Sequence, residues 1–154
     1  MSTSSAGTTD PYATFRPRIG AWVGRLGALA SVLVFGAIAL FGPSSARVST
    51  TMAVLDRGLI LGFGVLMALG LWRYGQLRAV PSTEGLLVVN LLRRHQLEWA
   101  QILRVGYAGG SAWAVLELTD TEEVAVMAIQ SADGQRARVE ASRLAALVAH
   151  HQQG

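Results

Sequence analysis

Two long stretches without a charged residue constrain this sequence more than any other feature. They run over residues 26–42 and 58–72; Arg25 precedes the first, and Arg57 and Arg73 bracket the second. A helix needs about 20 mostly apolar residues to cross the hydrocarbon core of a bilayer. Both stretches reach that length with their flanks, because an arginine at the edge can extend its charged head towards water. The sequence therefore predicts membrane-spanning helices at residues 19–42 and 52–74.

Each stretch also has an alternative interpretation. The first could be the apolar core of a cleaved signal peptide, although such cores are usually about 7–15 residues long. The second is short enough to be a buried helix of a soluble protein. Two apolar helices joined by a short loop, here residues 43–51, favour an antiparallel hairpin in the membrane over both alternatives.

Arginines near the membrane ends predict the orientation of the hairpin. Cytoplasmic loops carry an excess of Lys and Arg. Five arginines flank the outer ends of the two spans and two lie near the connecting loop: Arg16, Arg18, Arg25, Arg73 and Arg78 against Arg47 and Arg57. This distribution predicts that both termini are cytoplasmic, with residues 1–18 as a disordered cytoplasmic tail.

Glycines recur at a spacing of four in both spans. Gly20 and Gly24 form one such pair in the first span, and Gly58 and Gly62 form another in the second. Residues four apart share one helix face, where small side chains let two backbones approach closely. We expect these glycines to pack the two spans on each other. Dimerisation between two copies of the chain is the alternative.

From Gln76 onwards the pattern changes to a two-residue alternation rich in β-branched residues, which is typical of strands. The strand candidates are GLLVVN, HQLEWAQ, ILRVGYA, AWAVLELT and EVAVMAI, with residues 77–80 as a further strand. Turns are expected at "RRHQ", at Gly109–Gly110 and around Asp120–Glu122. The sequence then predicts an amphipathic carboxy-terminal helix, with Ser131 or Asp133 as its N-cap.

Short antiparallel strands followed by one helix are the order of a pleckstrin-homology-like (PH-like) barrel. The runs EGLLVVNLLRRHQLEWAQI, AWAVLEL and VAVMAIQSADGQRARVEASRLAALV resemble the small bacterial PH-domain membrane proteins, as do FRPR before the first span and LWR after the second. The resemblance implies a two-helix transmembrane hairpin plus a small α+β PH-like domain at residues 76–154. That domain would be an antiparallel sheet or partial barrel capped by the helix, displayed from the bacterial inner membrane.

Several classes of function lack a sequence signature. The chain has no Cys and its formal net charge is only +3, with no nucleic-acid-binding motif. His150 and His151 are adjacent, so they do not form the i, i+4 pair that clasps zinc. Ser111 lacks a nucleophile elbow. We therefore expect no enzymatic activity, cofactor, metal or nucleic-acid partner.

A basic turn is the feature most open to a binding function. Arg93, Arg94 and His95 lie between short apolar runs. They could form a solvated turn, contact anionic lipid head groups, or dock a protein partner. The predicted function is a membrane-bound adaptor or accessory subunit, which would contact lipids and either another membrane protein or a second copy of itself. Sensing of anionic lipid head groups by this turn is the alternative.

Overall fold

The computed structural model of the protein describes residues 10–42, 49–107 and 110–153. These residues form two compact units, one of residues 18–76 and the other of residues 10–17 together with 77–153. The first unit holds two long helices, and the second holds two antiparallel sheets and a third helix. The predicted fold class is confirmed. The larger part of the predicted loop, residues 43–48, and the turn residue Gly109 lie outside the described residues.

The helical unit consists of α1 (Arg18–Phe41) and α2 (Thr50–Tyr74). Both helices are long and apolar enough to cross a membrane. Only 22% of the residues in the most apolar part of α1 are buried, and only 6% of those in the corresponding part of α2. Neither helix therefore has the burial expected of a core helix in a soluble protein. Ser49 caps α2, since its hydroxyl accepts a hydrogen bond from the Met52 amide at 3.4 Å.

Small residues line the seam between α1 and α2. A Cβ atom added at Gly24 would lie 2.6 Å from the carbonyl oxygen of Leu71, and the Ser31 hydroxyl donates to the carbonyl of Gly64 at 3.0 Å. Position 24 thus meets position 71, and position 31 meets position 64. Because the contacts run in opposite order along the two helices, the helices are antiparallel.

The glycines predicted to form this seam differ between the helices. Gly20 and Gly24 are buried in α1. Gly58 and Gly62 are exposed in α2, and an added Cβ would meet nothing within 4 Å at either position. The expected packing of Gly58 and Gly62 on the other span is therefore wrong for this hairpin. Gly64 provides the close approach instead, because it lies two positions, or about 200° around the helix, from Gly62.

The second unit contains two three-stranded antiparallel sheets. The first has the order β1 (Arg78–Pro81), β2 (Gly85–Val89), β3 (Arg94–Glu98). The second has the order β4 (Ile102–Gly106), β5 (Trp113–Leu118), β6 (Glu123–Gln130). The predicted strand at residues 77–80 corresponds to β1. Alternating apolar residues of both sheets meet in one core that includes Leu86, Val88, Ile102, Leu116 and Val126.

The helix α3 (Gln135–Gln152) closes this core with one apolar face, through Ala137, Leu144, Leu147 and Val148. Its N-cap is Gly134 and not Ser131 or Asp133, which lie earlier in a 3₁₀ turn. Gly134 has φ = 60°, a conformation that glycine adopts at little cost. The Ser131 hydroxyl donates to the carbonyl of Ala112 at 3.1 Å instead of capping α3.

Residues 10–17 belong to this unit although they precede the helical hairpin in the chain. Phe15 is fully buried in the core, and its backbone exchanges two hydrogen bonds with Ala79 of β1, at 2.8 and 3.0 Å. The Arg143 guanidinium lies 3.9 Å from the centre of the Phe15 ring. The expectation of disorder through residue 18 is therefore wrong for residues 10–17, and residues 1–9 lie outside the described part.

Candidate functional site

The turn between β2 and β3 lies earlier in the chain than predicted. The amide of Asn90 donates to the carbonyl of Arg93 at 2.9 Å, which puts Leu91 and Leu92 at the centre of the turn. Leu92 is 87% exposed, more than any other large apolar side chain among the described residues of this unit. The tip is therefore apolar, with basic residues following it, whereas the sequence predicted a tip at "RRHQ".

The three predicted basic residues follow this tip, one in the turn and two in the next strand. Arg93 ends the turn, while Arg94 and His95 begin β3 opposite Val89 and Val88. Both arginines are exposed and His95 is half-buried. The salt bridges among the described residues involve Arg104, Arg136 and Arg143, and neither Arg93 nor Arg94 takes part in one. Their charges are therefore available to an external group.

A second turn is linked to the first through β6, because Asn90 joins the two sheets. The buried Asn90 side chain donates to the carbonyl of Ala125 at 2.6 Å and accepts from the amide of Met127 at 3.2 Å. Ala125 follows the start of β6 by only two residues. Asn90 therefore links the β2–β3 turn to β6, two residues after Glu123 of the β5–β6 turn.

The β5–β6 turn is acidic and its backbone is unusual. Asp120, Glu122 and Glu123 are all exposed there. Thr121 has φ = 69°, a conformation that is rare for a β-branched residue. Strained backbone of this kind persists where the surrounding contacts fix it, and it is concentrated at functional sites. The Asp120 carboxylate accepts from the amide of Glu122 at 3.1 Å and helps to fix the turn.

We call the two linked turns together the tip surface: Leu92, Arg93, Arg94, Asp120, Glu122 and Glu123. It combines an exposed apolar side chain with two arginines and three carboxylates. A surface with both charge signs around an apolar residue resembles a protein-binding patch more than a uniformly basic lipid site.

Elsewhere on the domain, Arg104 and Glu117 form an ion pair. Glu117 on β5 accepts a hydrogen bond from Nε of Arg104 on β4 at 3.2 Å, and this bond raises the pKa of the arginine above its usual value. Burial raises the pKa of the Tyr107 hydroxyl beside the start of α3. Arg104 thus has its partner within the domain, in contrast to Arg93 and Arg94.

The histidines of α3 have structural contacts. Nε2 of His151 lies 2.9 Å from the Tyr12 hydroxyl, and the ring stacks on Trp99 with centroids 4.8 Å apart. The indole of Trp99 donates to the carbonyl of Ser82 at 3.0 Å. Over residues 10–42, 49–107 and 110–153, no three His, Asp or Glu side chains cluster closely enough to hold a metal ion.

Sequence reasoning did not identify Leu92 and Asn90, the two residues that shape the tip surface. Leu92 follows an apolar strand, so the pattern suggested that the strand continued. Asn90 carried a usable signal, because Asn is frequent in turns and a buried Asn requires hydrogen-bond partners.

Comparison with known proteins agrees with this geometry. Residues 76–146 match the family described as "Bacterial PH domain". Uncharacterized proteins of Mycobacterium bovis and of two strains of Mycobacterium tuberculosis are 34% identical to this chain over 94 residues. The match covers 61% of this chain and 57% of each relative. No solved structure gives a significant match. The sheets and capping helix of this chain, preceded by two long apolar helices, therefore form a domain of the bacterial PH domain family.

Proposed function

We propose that the chain is a non-enzymatic integral protein of the bacterial inner membrane that displays its PH domain to the cytoplasm as an adaptor or accessory subunit. The observation that carries this proposal is the tip surface, where the exposed Leu92 precedes two arginines without an ion pair and Asn90 links their turn to the strand that follows an acidic turn. Its partner would be another membrane protein or a second copy of this chain.

The membrane location is supported by the outer surface of the helical unit. Large apolar side chains along both helices are exposed, among them Leu29, Leu33, Leu59 and Leu66. An exposed apolar surface of this extent marks a site of membrane or protein contact.

The orientation is supported by chain connectivity. Phe15 and Ala79 are hydrogen-bonded to each other on either side of the helical hairpin, so the two flanks of the hairpin share one compartment. A hairpin whose ends share a compartment crosses a membrane twice or not at all. The excess of arginine on these flanks favours the cytoplasm as that compartment.

The preference for a protein partner follows from charge. Arg93 and Arg94 attract an anionic surface, but Asp120, Glu122 and Glu123 on the linked turn are repelled by it. A protein surface can match both signs and cover Leu92, as the buried apolar anchors of interfaces do.

Chemical cross-linking and detergent pull-down of the full chain test this proposal. Leu92→Asp should weaken recovery of a stoichiometric partner by at least about tenfold, because a buried apolar anchor contributes more than about 1.4 kcal/mol to binding. Leu103→Asp is the matched control, since Leu103 is an exposed leucine of the same domain, on β4. Equal recovery with both variants, or repeated recovery of the chain alone, would contradict the adaptor function.

Sensing of anionic lipid head groups is the second candidate, favoured by the absence of an ion pair at Arg93 and Arg94. Each arginine near an anionic surface contributes about 1 kcal/mol. The chain has no native cysteine, so a fluorophore on Leu92→Cys reports lipid contact specifically. In nanodiscs, lipid sensing predicts a blue shift with phosphatidylglycerol but not with phosphatidylcholine, and its loss in Arg93→Gln/Arg94→Gln. Identical spectra in both lipids would eliminate this candidate.

A further inference from the structure

The helical unit has a groove on its outer surface that the proposed adaptor function does not use. It has a volume of about 380 Å³ and lies between α1 and α2. Its lining is almost wholly apolar, with one cationic residue, and includes Arg25, Ala28, Val32, Val65, Ala68 and Trp72.

Small residues create this groove. Ala28 and Ala68 are buried, while the longer side chains that flank them are exposed. The groove extends from Arg25 to Val32 along α1, which is about 10 Å at 1.5 Å per residue. It is therefore open along its length and has its charge at one end.

Arg25 lies at the depth of lipid head groups if the unit spans a bilayer. Only the 16 residues from Leu26 to the end of α1 at Phe41 follow it, and they extend about 24 Å. The hydrocarbon core is about 30 Å thick. The guanidinium can therefore extend from the edge of the core towards the head groups, where an anionic partner such as a lipid phosphate can neutralise it.

The helical unit itself does not supply that partner. Asp56 is the sole carboxylate side chain in its described residues, 18–42 and 49–76. It lies 16 positions from Trp72 along α2, about 24 Å from the cationic end of the groove. A second copy of the hairpin in the same orientation has its Asp56 at the same distant level, so it cannot neutralise Arg25 either.

We propose that this groove binds one anionic membrane phospholipid, an inference that rests on the proposed membrane location. The lipid phosphate pairs with the Arg25 guanidinium, whose planar donors can hold two phosphate oxygens at once. One acyl chain lies along Ala28 and Ala68 and extends towards Val32 and Val65. The lipid would thereby become a fixed part of the helical unit.

Native mass spectrometry of the full chain, released from micelles with equal amounts of phosphatidylglycerol and phosphatidylcholine, tests the proposal. We expect one retained phosphatidylglycerol, with affinity about tenfold lower in Arg25→Gln and largely preserved in Arg25→Lys. Arg57→Gln controls for overall charge, since Arg57 is an exposed arginine of the same unit. Val32→Trp should fill the groove and also reduce retention, whereas Val34→Trp, at a similarly exposed position outside the groove lining, should not.

Equal retention of both lipids would overturn the proposal, as would equal losses in Arg25→Gln and Arg57→Gln. Dimerisation through Val32 without bound lipid would identify the groove as an interface between copies and also overturn it. Extraction of membranes with alkaline carbonate separates this failure from that of the proposed function. A chain that resists extraction but lacks lipid preference contradicts the lipid site alone, whereas an extracted chain contradicts the membrane location.

Discussion

The helical unit and the PH domain distribute the same kinds of side chain in opposite ways. Leucines such as Leu33 and Leu66 are exposed on the helices, whereas Leu86 and Leu116 are fully buried in the domain. Glycine, alanine and serine fill the seam of the helical unit, where the domain has branched aliphatic side chains. In water, burial of apolar surface drives packing, but between helices in lipid it does not, so close backbone contact through small residues replaces it. The two units are thus suited to two different solvents.

The largest expected effect compares a phenylalanine that precedes α1 with the phenylalanine that ends it. Phe15 is 1% exposed and Phe41 is 84% exposed. Phe15→Ala should reduce the free energy of unfolding of the domain by about 3–5 kcal/mol, because it leaves a cavity in the core. Phe41→Ala should change it by less than about 0.5 kcal/mol. Urea denaturation of the full chain in mild detergent, followed by hydrogen exchange in β1 and β2, measures both. Similar small effects would mean that residues 10–17 are not part of the domain.

The next effect tests the seam with two glycines of one helix. A Cβ at Gly64 would lie 2.5 Å from the Cβ of Phe35, whereas a Cβ at Gly62 would meet nothing within 4 Å. Gly64→Ala should therefore destabilise the hairpin by about 1–3 kcal/mol through overpacking. Gly62→Ala should stabilise it by about 0.5–1 kcal/mol, because alanine loses less backbone entropy in a helix. Circular dichroism during unfolding in mixed SDS micelles measures both, and the same sign for both variants would contradict this seam.

The smallest effect concerns the attachment of residues 10–17 to α3. Arg143 packs over the Phe15 ring, pairs with Glu140 at 2.6 Å and donates to the carbonyl of Asp10 at 3.4 Å. Arg143→Met should cost about 1 kcal/mol, the sum expected for a partly exposed cation–π contact and ion pair. Arg138→Met, at an exposed position on the same helix, should cost less than about 0.5 kcal/mol. Thermal unfolding of the domain at low and high salt distinguishes the two variants. Equal melting temperatures would contradict the attachment of residues 10–17 through Arg143.

Regular elements with a strong local pattern could be predicted from the sequence. The run GLLVVN became β2, and the stripe Ala137, Leu144, Leu147 and Val148 became the buried face of α3. In both cases the period of the apolar residues specifies which side is buried, so no distant partner has to be known.

Features that depend on a distant partner could not be predicted. Phe15 forms a single bridge to Ala79, which leaves no repeating pattern in its own segment. Gly62 and Gly64 are the same residue type on opposite helix faces, and only the position of α1 determines which one is covered. For the candidate site, the charge of Arg93 and Arg94 was enough to predict them as candidate binding residues. Leu92 was not predicted, because an apolar residue in a turn resembles the strand that precedes it.

The pairing of Phe15 with Ala79 has a consequence for synthesis of the chain. The ribosome delivers Ala79 only 64 residues after Phe15, which takes roughly 3–13 s at about 5–20 residues per second. During that interval α1 and α2 emerge while the amino-terminal segment has no partner strand. The domain therefore cannot be completed before the hairpin has been synthesised. Pairing of Phe15 with β1 occurs only in chains that already contain both helices.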